Sequence, residues 1–264
     1  MDWLQALILG LIQGLTEFIP VSSSGHLVIT QYAMGFHSTA TFDAMVNLGT
    51  FLALLVYFWP RILEILKRLF VRRDVRLTRN LIISAIPVGL AGFLLSDFFE
   101  SSLVQQPLVV AFMLVSVGLI MIFIDKLPRL SDVPTEDALT PKRALLIGLA
   151  QMVSLIPGTS RSGSSIIAGR LVGLDFKKAA EYSFLLSLPV MAAVVLRGFL
   201  TDEGQQFIAQ NFTVWAVSNV AAFGAGMFAV GFMMRYLAKG NLKVFGYYRI
   251  ALAVVVLVVL MFAR

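Results

Sequence analysis

QGLTEFIPVSSSGH, residues 13–26, is a polar island in an apolar chain. It holds a carboxylate (Glu17), a proline (Pro20), three hydroxyls in a row (Ser22, Ser23, Ser24), then Gly25 and His26, one of only two histidines. A second stretch, QMVSLIPGTSRSGSS at residues 151–165, repeats the plan. Proline stops a helix and pushes the residue before it into extended backbone. Serine caps the start of a new helix. Each island therefore predicts a helix, a break and a second helix. The flanking apolar pieces, residues 3–19, 27–34, 144–156 and 166–174, are each shorter than the roughly 20 residues a membrane span needs. A helix that enters a membrane, breaks and returns is a re-entrant hairpin. Broken backbone at that depth is tolerated only where protein or a wet cavity surrounds it.

The rest of the chain supplies the membrane protein this requires. Of its 264 residues 58% are hydrophobic and 14% charged, against about a quarter charged in soluble domains. Long unbroken apolar runs argue for helices rather than the alternating strands of a barrel. Six runs approach spanning length: residues 42–59, 81–95, 108–124, 179–200, 214–234 and 244–262. The absence of cysteine removes disulfides, thiolate chemistry and Cys/His zinc sites. No basic leader precedes the first apolar run, so a cleaved signal peptide is not expected.

ALILGLIQ at residues 6–13 aligns with ALLIGLAQ at residues 144–151, identical at five of eight positions. The match runs on as FIPVSSSG against LIPGTSRSG, with a one-residue gap opposite Glu17 or its neighbour. The expected fold is an all-α polytopic membrane protein with six transmembrane helices plus two re-entrant helical hairpins in an inverted-topology repeat. It forms one membrane domain over residues 1–264, with repeats at approximately 1–125 and 140–264. Three spans after each hairpin make the second copy enter from the opposite side. Repeats of this kind place a shared site near the midplane, on broken helices.

Charge orients the chain. Taking the basic stretch 61–79 as cytoplasmic puts residues 126–143, 170–178 and 235–249 on the same side. These stretches hold 18 of the 21 lysines and arginines, leaving Arg161, Arg197 and Arg264. The outer loops hold Asp2, Asp43, Asp97, Glu100, Asp202 and Glu203. This pattern accounts for the net charge of +6 without nucleic acid. Arg161 is the only basic residue expected far from an interface loop.

Gln13 and Glu17, four apart, share one helix face. A carboxylate at membrane depth normally faces an interior cavity. The helix starting near Gly25 offers free N–H groups and a positive dipole end to an anion. His26, in its first turn, is a candidate acid, base or nucleophile. In the second island Arg161 takes the place of the histidine as the charged element, and its guanidinium suits phosphate oxygens. A salt bridge from Arg161 to Glu17 is the structural alternative and does not exclude a phosphate role. Together the islands describe a site for an anion, with phosphate expected, on a molecule whose other end is lipid.

Residues 17–26 (EFIPVSSSGH) and 157–163 (PGTSRSG) resemble the two signature motifs of the undecaprenyl-diphosphate phosphatases of the bacitracin-resistance type. Length, motif spacing, the basic first loop and SFLLSLPV at residues 183–190 extend the resemblance over nearly the whole chain. It implies hydrolysis of a polyprenyl diphosphate lipid to the monophosphate at the outer, periplasmic face of the bacterial cytoplasmic membrane. This recycles the carrier of cell-wall synthesis, and membrane lipids but no nucleic acid surround the protein. The oligomeric state stays open, a homodimer included. It implies a divalent cation, Mg2+ or Ca2+, on Glu17 and Gln13, although Gln at position 13 weakens that ligand and shifts the burden to Glu17. The catalytic residues it implies are Glu17, Ser23, His26 and Arg161. Phosphate binding falls on Ser22, Ser24, Gly25, Thr159, Ser160, Ser162, Gly163 and Ser165. Ser23 or water attacks, with His26 taking the proton from Ser23 or passing one to the leaving group; direct attack by His26 is the alternative.

Three rival readings share the architecture. A transporter or flippase would bind the lipid phosphate through the same residues without breaking it. A second lipid-phosphatase class also uses Ser-Gly-His, but it needs a Lys-x6-Arg-Pro stretch and another histidine. This chain has only His37, placed in an outer loop, besides His26. A channel is the third reading; it rests on the fold alone, and the ionisable groups clustered at the two helix breaks favour phosphate handling over it.

Overall fold

The computed structural model describes residues 1–35, 38–99, 101 and 106–262. His37, Glu100 and Arg264 lie outside the described residues. All regular structure among those described is helical. The first hairpin is α1 (Trp3–Phe18) and α2 (Ser23–Ala33), followed by α3 (Ala40–Met45), α4 (Asn47–Tyr57), α5 (Trp59–Phe70), α6 (Arg76–Leu94), α7 (Ser96–Phe99) and α8 (Pro107–Phe123). The second hairpin is α9 (Pro141–Met152) and α10 (Arg161–Leu171), followed by α11 (Phe176–Leu200), α12 (Asp202–Gln210), α13 (Phe212–Leu237) and α14 (Lys243–Phe262). The spans Arg76–Leu94, Pro107–Lys126, Phe176–Leu200 and Phe212–Leu237 are each long and apolar enough to cross a membrane. A bent pair, Thr41–Tyr57 with Trp59–Phe70, qualifies when its two parts are taken together. The chain is thus an all-helical, multi-pass membrane protein.

Two expectations are corrected. The run at 42–59 is divided at Val46 between α3 and α4. The basic loop 61–79 opens with α5, turned 67° from the preceding helix. Pro60 in its first turn is pre-set for a helix start. Residues Ile62 and Ile65 pack against the core while Leu63, Leu66 and Phe70 stay exposed. Its polar side is anchored by arginine: Arg61 pairs with Glu64, Glu136 and Glu181, and Arg68 with Asp74 and Asp137. Arg76 and Arg68 hold the Asp74 carboxyl well below the usual carboxylate range.

The two hairpins seat in matching ways. α1 lies along α13, α9 lies along α6, and α8 and α14 pack on each other. In lipid the driving force is close packing rather than water exclusion, so small residues sit where helices touch. A Cβ on Gly10 would collide with the Ser218 backbone, and one on Gly148 with the Ser84 backbone. These glycines occupy the same position in the two aligned octapeptides. Each lets a short helix press its backbone onto the long helix that carries it. Gly148→Leu is expected to lower the unfolding temperature in detergent, since the obstruction is backbone and a side chain cannot rotate away. Overpacking of this kind costs about 1–3 kcal/mol, and an unchanged melting curve would remove the contact from this account.

Candidate active site

Both breaks use the same local device. Pro20 and Pro157 follow Ile19 and Ile156, which are extended at φ −72°, ψ 132° and φ −79°, ψ 122°. The chain then passes through a serine in left-handed backbone, Ser22 at φ 76° and Ser160 at φ 73°. Non-glycine residues held there cost on the order of 1–3 kcal/mol each and gather at functional sites. Each serine caps the helix it precedes. Ser22 Oγ accepts from the Gly25 N–H at 3.4 Å and Ser160 Oγ from the Gly163 N–H at 3.2 Å. The glycine N–H groups are thereby spent on caps, which leaves the N–H groups of Ser23, Ser24, Arg161 and Ser162 at the helix starts. The matched caps set the register between islands: Arg161 stands opposite Ser23, and His26 opposite Ser164.

Glu17, one residue before α1 ends, is where the islands meet. Its Oε1 accepts a short hydrogen bond from Arg161 Nη2. Its Oε2 accepts from Ser23 Oγ at 2.7 Å and from Gln13 Nε2 at 3.0 Å. Glu17 keeps 10% of its side-chain surface and Arg161 16%, so the pair is neither sealed nor free in solvent. Gln13 also donates to Asn47 Oδ1 at 3.1 Å, which brings the start of α4 into the site. Ser24 Oγ accepts from the Gly158 N–H at 3.3 Å, and Ser162 Oγ donates to the Glu17 carbonyl at 3.3 Å. The two breaks are therefore stitched directly to each other.

Of the two roles expected of His26, the structure does not pair it with the Ser23 hydroxyl. Its Nδ1 lies 2.8 Å from the Ser22 carbonyl and its Nε2 2.7 Å from the Tyr248 hydroxyl. The acceptor on Ser23 is Glu17, so the proton of Ser23 points at the carboxylate and not at the imidazole. The remaining hydroxyls divide. Ser22 and Ser24 lie 3.1 Å apart and Ser160 and Ser162 3.3 Å apart, at the two helix starts. Ser165 is buried; it donates to the Arg161 carbonyl at 2.8 Å and lies 2.5 Å from Ser183 Oγ. It faces α11 rather than the mouth of the site. Thr159 is buried, its hydroxyl without a partner among the described residues.

Arg249 was missed. It was counted among the cytoplasmic loop charges of residues 235–249, yet it lies in α14 with no exposed surface. Its guanidinium donates to the carbonyls of Pro20 at 3.2 Å, Gly158 at 2.6 Å, Thr159 at 3.1 Å and Met113 at 3.4 Å. The breaks free carbonyls that no helix satisfies, and one arginine serves both breaks at once. The basic residue far from a loop is thus not Arg161 alone. The available signal was an arginine five residues inside an apolar run.

Comparison with known proteins gives the family. The family model described as "Bacitracin resistance protein BacA" matches residues 6–255. An undecaprenyl-diphosphatase of Aquifex aeolicus is 36% identical over 261 residues, covering 96% of each chain. An undecaprenyl-diphosphatase 1 of Burkholderia cenocepacia is 39% identical over 269 residues, covering 98% of this chain and 97% of the relative. An undecaprenyl-diphosphatase of Neisseria meningitidis is 38% identical over 262 residues, covering 97% and 94%. With both islands inside the matched region and the match running nearly end to end, the chain belongs to the bacitracin resistance protein BacA family.

Proposed function

We propose that this protein hydrolyses undecaprenyl diphosphate to undecaprenyl phosphate and inorganic phosphate. The observation that carries the reading is Glu17, whose one carboxylate receives both the Ser23 hydroxyl and the Arg161 guanidinium. A carrier that only binds phosphate needs the arginine but has no use for a serine aimed at a base. In the proposed reaction the terminal phosphate draws Arg161 onto itself, and Glu17 is left to take the Ser23 proton. Ser23 Oγ then bonds to the terminal phosphorus as the bridging P–O bond breaks, and the electron pair leaves on the lipid phosphate. Protonated His26 gives its Nε2 hydrogen to that leaving oxygen. Water completes the cycle by hydrolysing the phosphoserine. Arg161 and the unspent N–H groups at the helix starts stabilise the charge that develops.

A divalent cation fits as a partner shared with substrate. Among the described residues no three His, Cys, Asp or Glu side chains gather as a metal cluster. Mg2+ commonly takes one or two carboxylates and completes its shell with water and substrate phosphate. Glu17 offers the carboxylate, and Gln13, both of whose hydrogen bonds run through Nε2, keeps its amide oxygen. When bound, the cation would neutralise diphosphate charge. Gln13→Glu adds a second carboxylate at the same place. The cation concentration for half-maximal rate should fall about tenfold in a Mg2+ or Ca2+ titration; an unchanged midpoint takes position 13 out of the ligand set.

The membrane arrangement belongs to the same proposal. Six crossings and two re-entrant hairpins form inverted repeats at about 1–125 and 140–264, in the bacterial cytoplasmic membrane with the site open outward. The paired seating of α1 on α13 and α9 on α6 supports this, as do the matched glycines and matched left-handed serines. Purified protein given undecaprenyl diphosphate with Mg2+ or Ca2+ in detergent tests the function. Release of inorganic phosphate is expected; lipid binding without release would leave the carrier reading instead.

A further inference from the structure

Tyr248 is a polar residue of the site to which the mechanism gives no task. It sits in α14 beside Arg249 with 47% of its surface exposed. Its hydroxyl lies 2.7 Å from His26 Nε2, and the two rings are parallel within 5° with centroids 5.6 Å apart.

The opposite edge of the imidazole decides what the contact means. His26 Nδ1 faces the Ser22 carbonyl at 2.8 Å. A carbonyl oxygen only accepts, so Nδ1 keeps its hydrogen whether the ring is neutral or charged. Nε2 is therefore the nitrogen that gains and loses the proton. A carbonyl placed against Nε2 would suit only the charged ring, and an amide N–H only the neutral one. A tyrosine hydroxyl suits both, donating to neutral Nε2 and accepting from Nε2–H. Glu17 on α1, Arg161 and Arg170 on α10, and Lys243 and Arg249 on α14 are the charged groups of the surrounding elements, and none of them hydrogen-bonds Nε2 among the described residues.

We infer that Tyr248 is a positioning residue for the phosphatase reaction: it holds His26 Nε2 toward the mouth of the site in both protonation states. The inference rests on the proposed hydrolysis. As the proton passes, the Nε2–H bond breaks and the lipid phosphate oxygen gains the hydrogen. The neutral ring then takes a hydrogen bond from Tyr248, which keeps it aimed for the next turnover.

Tyr248→Phe keeps the ring stack and removes only the hydroxyl. With undecaprenyl diphosphate, kcat should fall about tenfold, in line with one hydrogen bond to a catalytic group, while KM stays within about twofold. In a His26→Gln background the same change should have no further effect. The Nε2 resonance of His26 in 15N NMR, read in a His37→Gln chain, should move in Tyr248→Phe while Nδ1 remains protonated. Unchanged kcat, an equal loss in both backgrounds, or an unmoved Nε2 resonance each overturns the inference. A wild type that releases no phosphate sinks the hydrolysis reading itself, whereas an active wild type matched by Tyr248→Phe sinks only the role of Tyr248.

Discussion

Arg161→Ala is expected to lower kcat/KM for undecaprenyl diphosphate by about 10³-fold, the effect of removing one preorganised group that stabilises transition-state charge. Two losses combine in this variant. The terminal phosphate loses its guanidinium, and Glu17 loses the partner on Oε1 that holds it between the two breaks. Arg161→Lys should recover only part of the rate, because an ammonium cannot form the planar two-point contact. Glu17→Gln should be comparably slow, since an amide cannot take the Ser23 proton. The double variant should then be far less than additive, as expected for residues that act as one unit. Phosphate release assays on the four proteins check this, and additive losses would mean that Glu17 and Arg161 work independently.

Arg249→Leu is expected to destabilise the folded protein by on the order of 3 kcal/mol or more, since each buried carbonyl left without a donor costs about 1–3 kcal/mol. Pro20, Gly158 and Thr159 all lose their arginine contact at once. Their carbonyls sit at the two helix breaks, where no turn of helix can take them over. Activity should fall with stability, because the same breaks carry Ser22, Ser23, Ser160 and Arg161. Arg249→Lys, one ammonium in place of a fork, can serve one break but not both, and should fall between wild type and Leu. Thermal unfolding in detergent checks the order; a Leu variant as stable as wild type would show that the breaks hold themselves.

Much of this site could be read from residue order. Prolines and serines inside apolar runs announce the breaks, because their backbone preferences act locally. The repeated octapeptide announces the matched hairpins. Glu17, Ser23 and Arg161 converge as the two islands require. The missing part is the demand the breaks create. Counting Lys and Arg by distance from a loop assigns Arg249 to the interface, since hydropathy carries no information about orphaned carbonyls 229 residues away. Tyr248 drew no reading of its own, because it falls where the basic stretch 235–249 overlaps the apolar run 244–262. Arg161 takes the histidine's part as the charged element but not its position, since the left-handed caps set it against Ser23. The helix α5 was hidden because its arginines read as loop charge, while in the structure they are ion-paired to residues 136, 137 and 181.

The position of Arg249 also sets a schedule for the growing chain. Pro20 leaves the ribosome more than two hundred residues before the arginine that donates to its carbonyl. At 5–20 residues per second that is a wait of roughly 10 to 50 s. The second break follows later, and over the last 90 or so residues before Arg249 both breaks exist without their shared clasp. Completion falls to the final helix, so competence arrives late and in one step. Any event that stalls translation or insertion before α14 leaves a membrane-embedded chain whose two breaks lack the arginine that serves the carbonyls of both.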